Sequence, residues 1–102
     1  MVDLEQTTMQ LIIHSGNARA LAYQAFDLAL AGDYAAAAAK IHEASDEIRS
    51  AHSQQTALIQ DEAAGRGAAP TLLLVHGQDH LMTAIAEINL IERLIRVLEV
   101  RR

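Results

Sequence analysis

The chain has 102 residues, a hydrophobic fraction of 51%, a formal net charge of −5 and no cysteine. This length predicts one domain, and this hydrophobic fraction excludes a disordered chain. The acidic balance argues against a nucleic-acid-binding surface, and any metal site must be built from histidines and carboxylates. The polar start MVDLEQTT and the lack of a long apolar run predict a cytoplasmic protein without a membrane span.

The apolar residues are mostly alanines, and the aromatic residues are two Tyr and one Phe. Small side chains bury little area each, and a lone domain of this size buries only about two-thirds of its unfolded surface. We therefore expect the chain to gain stability by self-association.

The first predicted helix covers residues 3–31, where mostly apolar residues recur in steps of three and four. Gly32 is a typical residue after a helix end, and Asp33 is a typical N-cap for the next helix. Because the turn between them is short, the first two helices should be antiparallel. The repeating positions are Leu4, Thr7, Leu11, His14, Ala18, Leu21, Ala25 and Leu28.

The second predicted helix covers residues 34–63 and has the same rhythm. The stretch GRGAAP, residues 65–70, is the clearest loop because it holds two Gly and the only Pro. The repeating positions of the helix are Ala37, Ile41, Ala44, Ile48, Ala51, Gln55 and Leu58.

The third predicted helix covers residues 71–100 and carries the longest seam. Besides its main seam it carries a second apolar stripe, Leu90, Leu94 and Val97, which is more than one neighbouring helix can cover. The pattern predicts a single all-α domain over 1–102, an antiparallel three-helix bundle that oligomerises. The main seam consists of Leu74, Gly77, Leu81, Ala84, Ile88, Ile91, Ile95 and Leu98.

Three of the five histidines are expected to be structural or solvated. His14 lies on the first seam, where we expect a hydrogen-bonded core residue, whereas His42 and His52 lie on polar flanks of the second helix. Gln55 occupies a seam position, where a buried amide needs hydrogen-bond partners and can fix the register of the helices.

His76 and His80 are four residues apart and therefore lie on one helical face. A zincin-like metal site requires Glu directly after the first His, and Gly77 stands there, which argues against metal-assisted hydrolysis. The pair also suits covalent phosphoryl transfer, in which one imidazole is the nucleophile and the other donates to a phosphoryl oxygen. Gly77 serves either the approach of a partner protein or close helix packing.

Asp79 lies on a stripe with Val75, Met82 and Ala86 that is otherwise apolar. A carboxylate in such surroundings must be solvated, paired or metal-bound. In a symmetric oligomer, identical acids can share one cation at the axis. A solvated surface acid is the alternative that spacing leaves open.

The stretch HGQDHLMT, residues 76–83, resembles the signature of the lactose/cellobiose-type enzyme IIA components of the bacterial phosphoenolpyruvate-dependent sugar phosphotransferase system. SGNARA (15–20), AGDY (31–34) and AHSQQT (51–56) are similar to supporting stretches of that family. The resemblance implies a homotrimer, a nine-helix bundle, that carries a phosphoryl group during uptake of a disaccharide of the lactose, cellobiose or chitobiose class.

By the same resemblance, His76 is phosphorylated by the histidine-containing phosphocarrier protein and passes the group to a cysteine of a cognate enzyme IIB. His80 helps bind the phosphoryl group, and Asp79 meets its symmetry mates around a divalent metal, Mg²⁺, inside the trimer. The membrane enzyme IIC is an indirect partner. Two alternatives are a non-catalytic helical scaffold with a His/Asp metal site and a regulatory homologue with no enzyme IIB to serve.

Overall fold

The computed structural model describes residues 3–67 and 69–101, and all regular secondary structure within them is helical. Helix α1 spans Leu4–Leu30, α2 spans Tyr34–Ala63 and α3 spans Leu72–Arg101. The prediction of an all-α three-helix bundle is confirmed, and the helices begin and end at the expected residues or their immediate neighbours. Residues 1, 2, 68 and 102 of the predicted domain lie outside the described part of the chain.

The helix ends have the expected local chemistry. The side chain of Asp3 accepts a hydrogen bond from the backbone N–H of Gln6, and Asp33 caps α2 in the same way, both at 3.1 Å. Gly32 has φ +86° between the two helices, a conformation that an L side chain rarely adopts. The Thr71 hydroxyl accepts from the N–H of Leu74 at 3.0 Å and so caps the start of α3.

Helix α1 packs against both other helices, whereas α2 and α3 contact each other least, so the core follows α1. On α3 the predicted seam is buried from Gly77 to Ile95. On α1 the prediction is partly wrong: Ser15, Ala22 and Ala29 are buried, whereas His14 is only half-buried. Because α1 packs against both other helices, its buried face is wider than a single seam. Leu4, Leu21 and Leu28 are likewise half-buried.

Helix α3 keeps an apolar surface that nothing within the described residues covers. Leu90 is 60% exposed and Val97 is 55% exposed, so the second stripe has no partner helix inside the chain. The stripe around Asp79 is exposed as well, with Met82 at 55%. None of the described helices is long and apolar enough to cross a membrane.

Candidate functional site

The histidine pair lies near the start of α3, on either side of a close contact between α3 and α1 at Gly77. Gly77 is buried there, and a Cβ added to it would lie 3.0 Å from Cγ2 of Thr8 and 3.6 Å from Cβ of Leu11. Close packing is therefore a sufficient reason for glycine at this position. This contact packs the first turns of α3 against α1. His76 and His80 lie on either side of Gly77 in the sequence.

His76 and His80 are in direct contact on one face of α3. Their ring centroids are 4.5 Å apart in an edge-on arrangement, and their Nε2 atoms are 3.2 Å apart. One of these nitrogens donates a hydrogen and the other accepts it. His76 is exposed and His80 is half-buried, so His76 is the imidazole that a partner protein can reach.

Arg19 of α1 reaches across to the same face of α3. Its guanidinium contacts Nδ1 of His80 at 3.3 Å, donates to the Thr83 hydroxyl at 2.5 Å, and donates from Nε to Glu87 Oε2 at 3.1 Å. The Tyr23 hydroxyl donates to the same Glu87 oxygen at 2.6 Å. His80 is therefore held on both sides of its ring, by Arg19 at Nδ1 and by His76 at Nε2.

The surroundings of these groups also affect their protonation. Burial, followed by the nearby His76 and Arg19, lowers the pKa of His80 below its ordinary value, and Asp79 opposes this effect. Near neutral pH, His80 is therefore a neutral imidazole with one N–H and one lone pair. The hydrogen bond to Glu87 is the main cause that raises the pKa of Tyr23, which keeps the phenol a donor.

Asp79 points to a different side of α3 from the histidine pair. It is exposed between Val75 and Met82, and its carboxylate makes no hydrogen bond or ion pair to a described residue. Across residues 3–67 and 69–101, no group of three or more metal-ligating side chains lies close enough to hold an ion. One chain therefore supplies a single carboxylate at Asp79, an oxygen ligand of the kind that Mg²⁺ prefers. A metal site at this position would need ligands from further copies of the chain.

Comparison with known proteins identifies the family of this chain. Residues 6–99 match the family model described as the lactose/cellobiose-specific IIA subunit of the phosphotransferase system (PTS). The chain belongs to this IIA family. The resemblance stated from residues 76–83 is thereby confirmed.

Relatives and solved structures agree with the assignment. The chain is 41% identical to the lichenan-specific enzyme IIA component of Bacillus subtilis over 97 residues, which cover 95% of this chain and 88% of the relative. It is 44% identical to the N,N'-diacetylchitobiose-specific EIIA component of Escherichia coli, again over 97 residues, with 95% and 84% covered.

Two solved structures share the fold. The cellobiose-specific enzyme IIA from Bacillus anthracis superposes with a TM-score of 0.92 at 41% identity, covering 97% of this chain and 91% of that one. The IIA in the IIA(Chitobiose)–HPr complex from the Escherichia coli phosphotransferase system gives a TM-score of 0.83 at 42% identity, with 97% and 96% covered.

The other polar residues of this IIA chain that the sequence analysis considered either form hydrogen bonds between helices or are exposed to solvent. His14 is hydrogen-bonded through Nδ1 to Glu47 Oε2 at 2.6 Å, as expected, but its side chain is 26% exposed, so it is not a core residue. Gln55 donates to Gln78 at 2.7 Å and so ties α2 to the turn that carries His76.

His42 and His52 are both exposed, as the polar flanks of the second helix predict. His42 lies 3.9 Å from Asp46, a surface ion pair when His42 is protonated. Neither residue reaches the histidine pair on α3.

Four residues of the site were not singled out from the sequence of this IIA chain. The spacing of His76 and His80 is a local signal, whereas Arg19 contacts His80 from 61 residues away and Glu87 from 68. The family stretch SGNARA, which contains Arg19, is the one signal that marked this part of α1. The missed residues are Arg19, Tyr23, Thr83 and Glu87.

Proposed function

We propose that the chain is a cytoplasmic phosphocarrier that accepts a phosphoryl group on His76 and passes it on. The observation that carries the proposal is the His76–His80 contact, in which an exposed imidazole is paired through its Nε2 with a half-buried one. Membership of the PTS IIA family supports the reaction class. His76 is the phosphorylated residue and His80 the residue that binds the phosphoryl group.

The donor in the first transfer is the histidine-containing phosphocarrier protein HPr, whose complex with a related IIA supports this assignment. The lone pair on Nε2 of His76 attacks phosphorus and forms an N–P bond. The N–P bond of the donor phosphohistidine breaks, and its electron pair returns to the donor imidazole. Nδ1 of His76 keeps its proton throughout, so the step needs no other proton acceptor.

His80 supplies the positioned hydrogen-bond donor. In the proposed mechanism the Nε2–H of His80 donates to His76 before transfer, and after transfer the lone pair of His76 is committed to phosphorus. The same N–H then donates to a phosphoryl oxygen. A phosphoryl group adds about −1.5 to −2 charges at pH 7, so a nearby donor stabilises it.

The acceptor in the second transfer is a cysteine thiolate of a cognate enzyme IIB. The thiolate forms an S–P bond, the N–P bond breaks, and the electron pair returns to Nε2 of His76. Catalysis in both steps comes mainly from alignment and charge stabilisation.

The sugar belongs to the lactose, cellobiose or chitobiose class. Relatives named for lichenan, N,N'-diacetylchitobiose and cellobiose support this class as a whole. The sugar is handled by the membrane enzyme IIC, which this chain serves only indirectly, through enzyme IIB.

The working assembly is a homotrimer, a nine-helix bundle in which α3 faces the axis. The exposed apolar stripes of α3 support this arrangement. Asp79 lies on one of these stripes and would hold a divalent cation, Mg²⁺, together with the Asp79 side chains of the symmetry-related copies. The cation would offset the repulsion between these acids.

Labelling with phosphoenolpyruvate tests the phosphocarrier function. The chain is incubated with labelled phosphoenolpyruvate, enzyme I and HPr, and an acid-labile, base-stable label is expected on the wild type. His76→Ala should abolish the label, and the matched control His52→Ala, an exposed histidine on α2, should retain it. A label of unchanged extent on His76→Ala would refute the assignment.

A further inference from the structure

Arg19 is fixed in place by the groups around it. Its side chain is 21% exposed, and all three guanidinium nitrogens contact α3, at His80, Thr83 and Glu87. Glu87 compensates its charge, and the Tyr23 hydroxyl donates to the same Glu87 oxygen. A guanidinium held by partners in three directions has one orientation, so the surrounding residues fix its contact with His80.

The contact with His80 has only one chemically consistent form. A guanidinium has five N–H donors and no acceptor. At 3.3 Å from Arg19, Nδ1 of His80 must therefore be the acceptor and carry no hydrogen. The hydrogen of neutral His80 then lies on Nε2.

The same contact decides the direction of the hydrogen bond between the two imidazoles. Their Nε2 atoms are 3.2 Å apart, a distance that permits a donor on either side. If His76 were the donor, His80 would carry its hydrogen on Nδ1, directly opposite an N–H of Arg19. Arg19 excludes that arrangement and leaves His80 as the donor and His76 Nε2 as the lone pair.

We propose that Arg19 is a positioning residue for phosphoryl transfer, which fixes the tautomer of His80 so that its Nε2–H faces His76. This inference rests on the proposed transfer through His76. Arg19 acts through His80 and does not touch the phosphoryl group. Without it, the hydrogen of His80 is shared between the two nitrogens, and the molecules with hydrogen on Nδ1 lack the donor.

The tautomer is read directly by nitrogen-15 NMR of the histidine side chains. In the wild type at neutral pH, we expect a non-protonated Nδ1 and a protonated Nε2 for His80. In Arg19→Met, which keeps an unbranched stem and removes the donors, we expect the His80 signals to shift towards a mixture of tautomers. Protonated Nδ1 in the wild type would overturn the proposal, even if the variant fails to fold.

The transfer rate is the second readout. We expect the rate of label transfer from HPr to Arg19→Met to fall about 10–100-fold, the range for losing an outer hydrogen-bond partner of a metal-site histidine. The label should still reach His76 given time. A wild type that takes no label contradicts the phosphocarrier function itself, whereas a labelled wild type with unchanged Arg19→Met kinetics contradicts only the role of Arg19.

Arg49→Met is the matched control. Arg49 is an exposed arginine on α2 that pairs with Asp46 at 2.7 Å, so the substitution changes the charge equally without touching His80. It should leave both the tautomer and the rate at wild-type values. An equal loss in Arg49→Met, or a slow Arg19→Met with an unaltered His80 tautomer, would overturn the positioning role.

Discussion

His76 and His80 have the same side chain and different environments, and these environments fit their proposed roles. His76 is exposed and meets only His80 among the described ring and hydrogen-bond contacts, whereas His80 is bonded at both nitrogens. A nucleophile has to be reachable by its partner, and a donor has to be fixed in direction. The two histidines therefore differ in the way that the proposed phosphoryl transfer requires.

Replacement of His80 should slow transfer without preventing phosphorylation of His76. His80→Ala removes one preorganised donor to the phosphoryl oxygens, a loss that typically costs about 10²–10³-fold in rate. His80→Gln, whose amide N–H can replace part of that function, should lose less. Rapid-quench measurement of label transfer from HPr checks both, with His42→Ala as the exposed-histidine control.

A wild-type rate in His80→Ala would remove His80 from the mechanism. An equal loss in His80→Gln and His80→Ala would instead show that an amide N–H does not replace the imidazole, and would contradict a role of His80 that is limited to hydrogen-bond donation.

The local half of the site could be predicted from the sequence, and the other half could not. Helical periodicity alone places His76 beside His80 and places Asp79 on another stripe, because all three residues lie within one short helical segment. No periodicity connects Arg19 to His80, because that contact depends on how α1 packs against α3. Long-range contacts of this kind become visible only when the fold is known.

The same contrast appears for whole helices. The boundaries were predictable because Gly32, Asp33 and Pro70 act locally through backbone conformation. The buried face of α1 was predicted less well: Ser15 and Ala22 are fully buried in addition to the predicted Leu11, Ala18 and Ala25, whereas the predicted His14 is half-buried. Because α1 packs against both other helices, its buried face is wider than a single seam.

Gly16 and Gly77 are both helical glycines, and they should respond oppositely to alanine. A Cβ at Gly16 meets nothing within 4 Å, so Gly16→Ala should stabilise the fold by about 0.5–1 kcal/mol. A Cβ at Gly77 lies 3.0 Å from Cγ2 of Thr8, which is 1% exposed and has no room to move. Overpacking of about 1–3 kcal/mol should therefore exceed the helix gain of about 1 kcal/mol in Gly77→Ala.

Urea unfolding at equal protomer concentration measures both variants. The free energy of unfolding should rise for Gly16→Ala and fall for Gly77→Ala. A stabilised Gly77→Ala would show that α1 and α3 are not in close contact at this turn, and would return Gly77 to a role in partner approach.

At the scale of the whole molecule, the bundle is an elongated body of 53 × 19 × 18 Å, and its helix α3 has exposed apolar stripes. Its fully buried hydrophobic residues are mostly alanines, as the composition predicts. Most of the large hydrophobic residues that the described part of the chain leaves exposed lie on α3, the helix that the proposed trimer buries. The sequence predicts this need for a partner without specifying how many copies meet it.

If the proposed trimer holds a cation at Asp79, chelation should weaken the wild-type assembly and leave that of Asp79→Leu unaffected. Three carboxylates without a cation repel one another, whereas three Leu side chains suit an apolar axis. Sedimentation velocity with and without chelator, together with metal content by mass spectrometry, measures both effects. Asp27→Leu, which replaces an exposed acid on α1, is the matched control and should behave as wild type.

A wild type that sediments as a monomer in the presence of Mg²⁺ would refute the trimer. A metal content that is unchanged in Asp79→Leu would refute the metal role of Asp79 while leaving the trimer standing.

The contact between Arg19 and His80 joins positions separated by 61 residues, so the site is divided between the beginning and the end of the chain. During synthesis, the nascent protein carries Arg19 long before any imidazole of the pair exists. A fragment that begins after α1 would contain both histidines and lack the arginine that contacts His80. The proposed chemistry therefore depends on the complete bundle, although its reactive atoms belong to a single helical turn.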